Sequence, residues 1–337
     1  MFPIMSAWTF AYTQVQPNIQ VNYASIGSGA GIAQITAGTL NCGASDAPLS
    51  AAQYSALPAG STLLTIPESS SAVVPAYNIP GIASTTHLNF TGNVLAEIFL
   101  GNITLWNDPA IVALNPHVSL PAQAITVVHR SDGSGTMYTF TNYLSDSNAV
   151  WKTKVGYATS VNWPTGIGCK GNEGVAGCIA NNQYSIGPLE IAYQITNPGA
   201  INYGAVQNKA GNYILANLTN IAEAVNAGVK AGLPASNAHW TGFSIVNNIF
   251  NDSADAHIYP ITTFTYLLVY QNLSASYAGT TQPQAIGTVN FISWVVNHGQ
   301  SAGVKIGYPP LPASVVAIDN TALASVTYNG TPILSGS

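Results

Sequence analysis

The run His129-Arg-Ser-Asp-Gly-Ser-Gly-Thr136 concentrates groups able to hold an oxyanion. Arg130 is the sole arginine in 337 residues, and its planar fork of donors suits phosphate or carboxylate. Around it stand one acid, Asp132, the hydroxyls of Ser131, Ser134 and Thr136, and two glycines that permit tight turns. The preceding Ala124–Val128 reads as a buried strand. The following Met137–Leu144 reads as a helix with Tyr138, Phe140, Tyr143 and Leu144 free for packing. The octet is therefore predicted to turn from strand to helix, with Ser134 as the cap. Helix starts leave backbone N–H groups unbonded and favour anions. The plainer alternative is a solvated turn closed by an Arg130–Asp132 pair.

Two earlier stretches offer a second set of polar groups. Ile26-Gly-Ser-Gly-Ala-Gly-Ile32 is a glycine-rich turn into a helix over residues 31–37, with Ser28 at the turn. It fits neither the dinucleotide fingerprint nor a phosphate-binding loop with Gly-Lys-Ser/Thr. Ala44-Ser-Asp46 ends a short apolar run, and Asp46 is either a turn or cap aspartate or an acceptor buried in a site. An ionised carboxylate repels an oxyanion unless that anion brings a proton to donate. Phosphate can do so and sulfate near neutral pH cannot, so Asp46 would select as well as bind.

The elements that must position these residues alternate between helix and strand. Ile4–Val15 is expected as the first helix, ended by Pro17, and Gln20–Tyr23 as a strand. Two strand-like runs follow, Leu63–Pro67 and Ser71–Asn78, the second leading out of the first domain. Helices are expected over 91–99, 109–114, 212–228 and 285–299, with Trp151 at a helix end near Asn148–Val155. Trp163–Cys178 is glycine-rich, and Gly168–Glu173 within it could touch a ligand or simply cross between elements. Tyr184–Tyr193 is a strand entering a helix, where Glu190 caps, pairs or stays solvated. Ile258–Tyr270 returns the chain to the first domain, and Val326–Tyr328 is a short strand before a tail of small residues.

Composition bounds the function. Seven Lys and Arg against 12 Asp and Glu give a formal charge of -5, which leaves no basic surface on the scale of a nucleic acid backbone. Charged residues are 6% of the chain while hydrophobic residues are 47%; this is a globular core under a surface of Asn, Ser, Thr, Gln and Gly. Such a surface suits an extracellular setting kept soluble by glycans, or an acidic one in which few groups titrate. Six Asn-x-Ser/Thr sites, at Asn89, Asn102, Asn217, Asn251, Asn272 and Asn329, agree with the first. Cys169 and Cys178 bracket a short glycine-rich loop and are the candidate disulfide, whereas Cys42 reads as a buried free thiol. No cofactor or metal site is read from the sequence, and no apolar run is long enough to span a membrane. His87, His117, His129, His239, His257 and His298 are scattered without a nucleophile beside them. Met1-Phe-Pro-Ile4 is not a signal peptide and reads as entry into a domain already under way.

Gly27-Ser-Gly-Ala-Gly31, Gly43-Ala-Ser-Asp-Ala-Pro-Leu49 and the octet together carry a resemblance. The chain resembles the phosphate-binding proteins of phosphate ABC transporters, archaeal-like extracytoplasmic solute receptors. Gly171-Asn-Glu-Gly174, Ser185-Ile-Gly187 with Glu190 and Ala192-Tyr193, Tyr259-Pro-Ile261, Phe291-Ile-Ser-Trp294 and Gly307–Pro312 follow in the family's order. The resemblance implies an α/β, two-lobed periplasmic-binding-protein-like fold of type II with a ligand cleft between lobes. Lobe I would take residues 1–76 and 260–337, and lobe II the inserted 77–259. It implies inorganic phosphate as ligand and a phosphate ABC permease as partner, with no catalysis. Carried over, Ser28 donates, Asp46 accepts from the protonated anion, and Arg130 supplies the charged fork oriented by Asp132. Ser134, Gly135 and Thr136 donate from the helix start. The family's N-terminal Thr/Ser-Phe segment falls at Phe2, with Met1 in the hydroxyl position.

Two other classes stay open at this point. A phosphatase using Asp46 or Asp132 would be expected to need metal ligands, and the sequence shows no such cluster. A cell-surface structural or filament-forming protein on the same fold would use an open sheet edge near the N-terminus for self-association. The implied location is extracellular or cell-surface, with any membrane anchor in a segment outside this chain.

Overall fold

A computed structural model describes the whole chain except residues 198, 200, 253, 254, 275–277 and 335–337. The last three residues of the small-residue tail, 335–337, thus lie outside the described residues. In chain order the first elements are α1 (Phe2–Val15), α2 (Gly27–Thr36), β1 (Cys42–Ser45), α3 (Ala51–Ser55) and β2 (Leu63–Asn78). Then come β3 (Asn89–Phe90), α4 (Gly92–Phe99), α5 (Pro109–Leu114), β4 (Thr126–Arg130), α6 (Gly135–Ser147), α7 (Ala149–Lys154) and β5 (Ile167–Cys169). These lead to α8 (Gly171–Asn181), β6 (Ser185–Glu190), α9 (Ile191–Ile195), β7 (Asn202–Tyr203), β8 (Ala205–Gln207), β9 (Tyr213–Ile214), α10 (Leu218–Gly228) and α11 (Ile245–Asn251). The last are β10 (Thr262–Tyr270), β11 (Asn272–Leu273), α12 (Gln282–Asn297), α13 (Ala313–Ala324), β12 (Thr327–Tyr328) and β13 (Thr331–Pro332), with a 3₁₀ segment at Gly299–Ile306.

Two compact units result. Unit 1 holds Met1–Ser70, Ala231–Ser244 and Phe264–Ser337; unit 2 holds Ser71–Lys230 and Ile245–Thr263. Relative to the lobe limits read from sequence, the chief difference is Ala231–Ser244, which packs in unit 1. Trp240 anchors it there, its backbone N–H donating to Tyr54 Oη at 3.0 Å and its ring set edge-on to Tyr266.

In unit 1, α1 carries Pro3 in its first turn and buries Ile4, Met5, Trp8 and Tyr12, the one-face spacing of a helix. Trp8 Nε1 donates to Gly299 O at 2.8 Å, satisfying its buried donor. β1 pairs antiparallel with β10, Ala44 opposite Leu267. α2 lies hard against β1 because Gly31 has no side chain: a Cβ there would stand 2.5 Å from Ala44 O. Gln20–Tyr23, expected as a strand, alternates in exposure but joins no ladder, and extended backbone without a paired neighbour is not a sheet strand.

Unit 2 is built on β6. It pairs antiparallel with the second half of β2, from Val73 opposite Glu190 to Asn78 opposite Ser185, and parallel with β4. β4 in turn pairs parallel with β5, Arg130 opposite Cys169. Phe99 and Phe140 meet edge-to-face at 4.9 Å between α4 and α6, and Trp106 and Trp151 are fully buried. The two strand-like runs of the sequence are one strand, β2. The polar Glu68–Ser70 between them looks like a break but is buried. Trp163–Cys178 is likewise not a connection alone: it holds β5 and helix α8 despite its glycines.

Candidate functional site

The octet folds as the local rules require. β4 ends at Arg130, and Ser134 caps α6, its Oγ accepting from Met137 N at 3.4 Å while its own N–H donates to Thr159 O at 2.8 Å. The N–H groups of Gly135 and Thr136 open the helix, where no intrahelical acceptor exists for them. Ser134 and Thr136 are buried, and so is Arg130 at 7% exposure.

A buried guanidinium needs partners, and this one has them on two sides. Nε donates to Asp132 Oδ1 at 2.7 Å and Nη2 donates to Asp132 Oδ2, a two-pronged grip. Nη1 donates to Asn172 Oδ1 at 3.0 Å. These bonds use three of the five N–H groups an arginine owns. Asp132 also accepts from Gly171 N at 3.1 Å. Burial pulls the Asp132 carboxyl up, but the Arg130 hydrogen bonds and charge and the Gly171 N–H outweigh it and hold the group below the usual carboxylate range.

Asn172 was not singled out in the sequence, which offered only the stretch Gly168–Glu173 as one that could touch a ligand. Its Nδ2 lies 3.3 Å from Thr136 Oγ1 and 3.2 Å from Glu190 Oε2, so one amide ties together β4, α6 and the end of β6. The only signal was its place inside Gly171-Asn-Glu-Gly174. Glu190, left open between capping, pairing and solvation, is buried and accepts from Asn172. Asn172 sits in the first turn of α8, and the Cys169–Cys178 disulfide fastens that helix to β5. Ser131 N donates to Cys169 O at 3.1 Å, closing the turn onto the same strand. His129 stacks flat on Trp163 with centroids 4.8 Å apart and Nδ1 3.0 Å from Arg130 O, a structural role.

Unit 1 brings the other pair together. Ser28, buried in the first turn of α2, accepts from Asp46 N at 3.1 Å. Thr265 Oγ1 donates to Asp46 Oδ1 at 2.7 Å. Thr265 was not singled out in the sequence, where it is one of several threonines in a strand. The glycine-rich stretch is the start of α2 rather than a loop before it, and its close packing on β1 accounts for Gly31. Phe2 is 46% exposed in the first turn of α1 and stacks on Tyr23. Cys42 is a free thiol but only partly buried on β1. Among the described residues, Glu223, Asp255 and His257 are grouped closely enough to share an ion.

Known proteins complete the picture. A family model described as "PBP superfamily domain" matches residues 1–298. The chain is 38% identical over 316 residues to the phosphate-binding protein PstS of Xylella fastidiosa, covering 94% of this chain and 80% of that protein. It is 35% identical over 325 residues to the PstS of Methanocaldococcus jannaschii, covering 94% and 81%. The chain belongs to the PstS family. Solved structures share the fold at lower identity. A putative phosphate ABC transporter substrate-binding protein from Clostridium perfringens aligns with a TM-score of 0.61 at 16% identity over 92% of this chain and 95% of that one. A human phosphate binding apolipoprotein aligns at 0.68, also at 16% identity, over 94% of each. The architecture is thus the α/β type II periplasmic-binding-protein fold.

Proposed function

We propose that the protein is an extracytoplasmic receptor that binds inorganic phosphate without catalysis and delivers it to an ABC permease. Its relatives are named for phosphate binding. The observation that carries the reading to particular residues is the buried Arg130, fixed by Asp132 and Asn172 beside the start of α6. Because Asp132 already balances its charge, Arg130 would act on phosphate through directed N–H groups more than through net charge. Ser134, Gly135 and Thr136 are proposed to donate with it. Ser28 and Asp46 are the groups proposed from unit 1, with Thr265 steadying the Asp46 carboxylate that accepts the proton of the anion. Phe2 is proposed as an apolar flank.

An extracellular or periplasmic location fits the family and the Cys169–Cys178 disulfide, since such bonds persist in oxidising compartments. No helix among the described residues is long and apolar enough to cross a membrane. For glycans, the exposed Asn102, Asn217, Asn251, Asn272 and Asn329 are the proposed acceptors, although Ser253 of the Asn251 site lies outside the described residues. Asn89 is a poorer acceptor because it is only partly exposed, on β3 where it pairs with β8. No observation in either unit favours a filament or self-association through a sheet edge, and the receptor stands as the single reading.

Equilibrium dialysis with labelled phosphate, run beside a phosphate-ester turnover assay with added divalent metals, tests it. Retained phosphate and no turnover are expected. Turnover, or no retained phosphate, overturns the proposal.

A further inference from the structure

Unit 1 holds two acids that the phosphate reading does not use. Glu68, in the first half of β2, has no solvent exposure, and among the described residues neither carboxyl oxygen has a hydrogen-bond partner. Asp319, on α13, is in the same condition at both oxygens. The hydroxyls of Ser69 and Ser70 beside Glu68 are buried and unpartnered too. Among the described residues no Lys or Arg side chain pairs with either acid as Arg130 does with Asp132.

The charged groups acting on Glu68 come from three directions. Asp46, after β1, and Asp319, on α13, both oppose its ionisation, and the amino group of Met1, ahead of α1, favours it. The half-buried Cys42 thiol on β1 feels Glu68 in turn. For Asp319, burial is the cause that acts. A carboxylate enclosed without a donor is far costlier than a neutral carboxyl in the same place.

We infer that Glu68 and Asp319 are kept protonated in the fold, so that unit 1 is built for acidic surroundings and loses stability as the pH rises toward neutrality. The inference is independent of phosphate binding. Composition agrees with it: seven Lys and Arg and six His are all that can carry positive charge when the acids are neutralised, few for a chain of 337 residues, so self-repulsion at low pH stays small.

The sign follows from linkage. Burial, first, and the neighbouring acids raise Glu68 well above the ordinary carboxyl range, and burial does the same for Asp319. Below the unfolded value of about 4 both states are protonated and the full stability is present. Above it the unfolded chain releases protons that the folded chain keeps, so stability falls until the folded groups also ionise.

The test is the melting temperature of the phosphate-free full chain between about pH 4.5 and about pH 7.5, for wild type, Glu68→Gln, Asp319→Asn and the double variant. Wild type is expected to lose about 3 °C per pH unit for each acid that stays neutral. Each amide variant should flatten the slope, whatever its melting temperature at the acid end. Should a variant not fold, the infrared carbonyl band of a protonated carboxyl in wild type at neutral pH reports directly. A melting temperature that is level or rises with pH, an unchanged slope in the double variant, or no protonated-carboxyl band overturns the inference.

Discussion

Arg130 and Asp132 are joined through two hydrogen bonds, Nε to Oδ1 and Nη2 to Oδ2, two residues apart in a turn between β4 and α6. The guanidinium is thereby fixed in plane before any ligand arrives, and such preorganisation lowers the cost of binding. Asp132 also has a pH signature. Its carboxyl is held low, so its stabilisation is present above the unfolded value near 4 and is lost as the pH falls through its folded value. Asp132→Asn should therefore weaken the fold at neutral pH and make its acid unfolding less steep, as read by urea titrations across pH. An acid limb identical to wild type would show that the pair contributes nothing.

Asn172 supports Arg130 from the other side. Asn172→Ala leaves Nη1 without its acceptor and loosens Thr136 and Glu190 together. Loss of about 1–2 kcal/mol is expected, or a phosphate affinity about tenfold weaker or more. Titration calorimetry checks it, with circular dichroism to confirm the fold. Wild-type affinity in a folded variant would remove Asn172 from the site.

The Cys169–Cys178 disulfide secures the helix that carries Asn172. Cys169→Ser with Cys178→Ser should cost about 2–3 kcal/mol from the short closed loop. Phosphate affinity should fall as well, because α8 is no longer fastened to β5. Urea unfolding with and without reductant, followed by phosphate titration, separates the two effects.

Gly31 is a packing requirement. Its Cβ would meet the backbone oxygen of Ala44 at 2.5 Å, a contact that no side-chain rotation relieves. Gly31→Ala should destabilise unit 1 by about 1–3 kcal/mol and displace the Ser28–Asp46 contact. Thermal melting checks the first, and an unchanged melting temperature would mean α2 can shift freely.

The octet was legible in the sequence because its folding is local: an apolar strand, glycines, a serine cap and an amphipathic run follow one another. The segments that misled are those decided by tertiary context. Gly171, Gly174 and Gly177 gave α8 the composition of a loop, yet a disulfide and packing on β4 and β6 make it a helix. Glu68–Ser70 read as a polar break, and nothing in three polar residues announces that a strand passes buried through them. Asn172 and Thr265 carry no charge and belong to common residue types, so their roles emerge only from the partners they reach. Gln20–Tyr23 erred in the opposite way: alternation predicts extended backbone, but a ladder also needs a neighbour.

The most direct test of the central claim is calorimetric titration of phosphate-stripped protein with phosphate and with sulfate, for wild type and Arg130→Ala. Tight phosphate binding, much weaker sulfate binding and a loss of about 100-fold or more in the variant are predicted, because the variant gives up charge-assisted hydrogen bonds. No phosphate binding, or equal binding by the two proteins, would contradict the account.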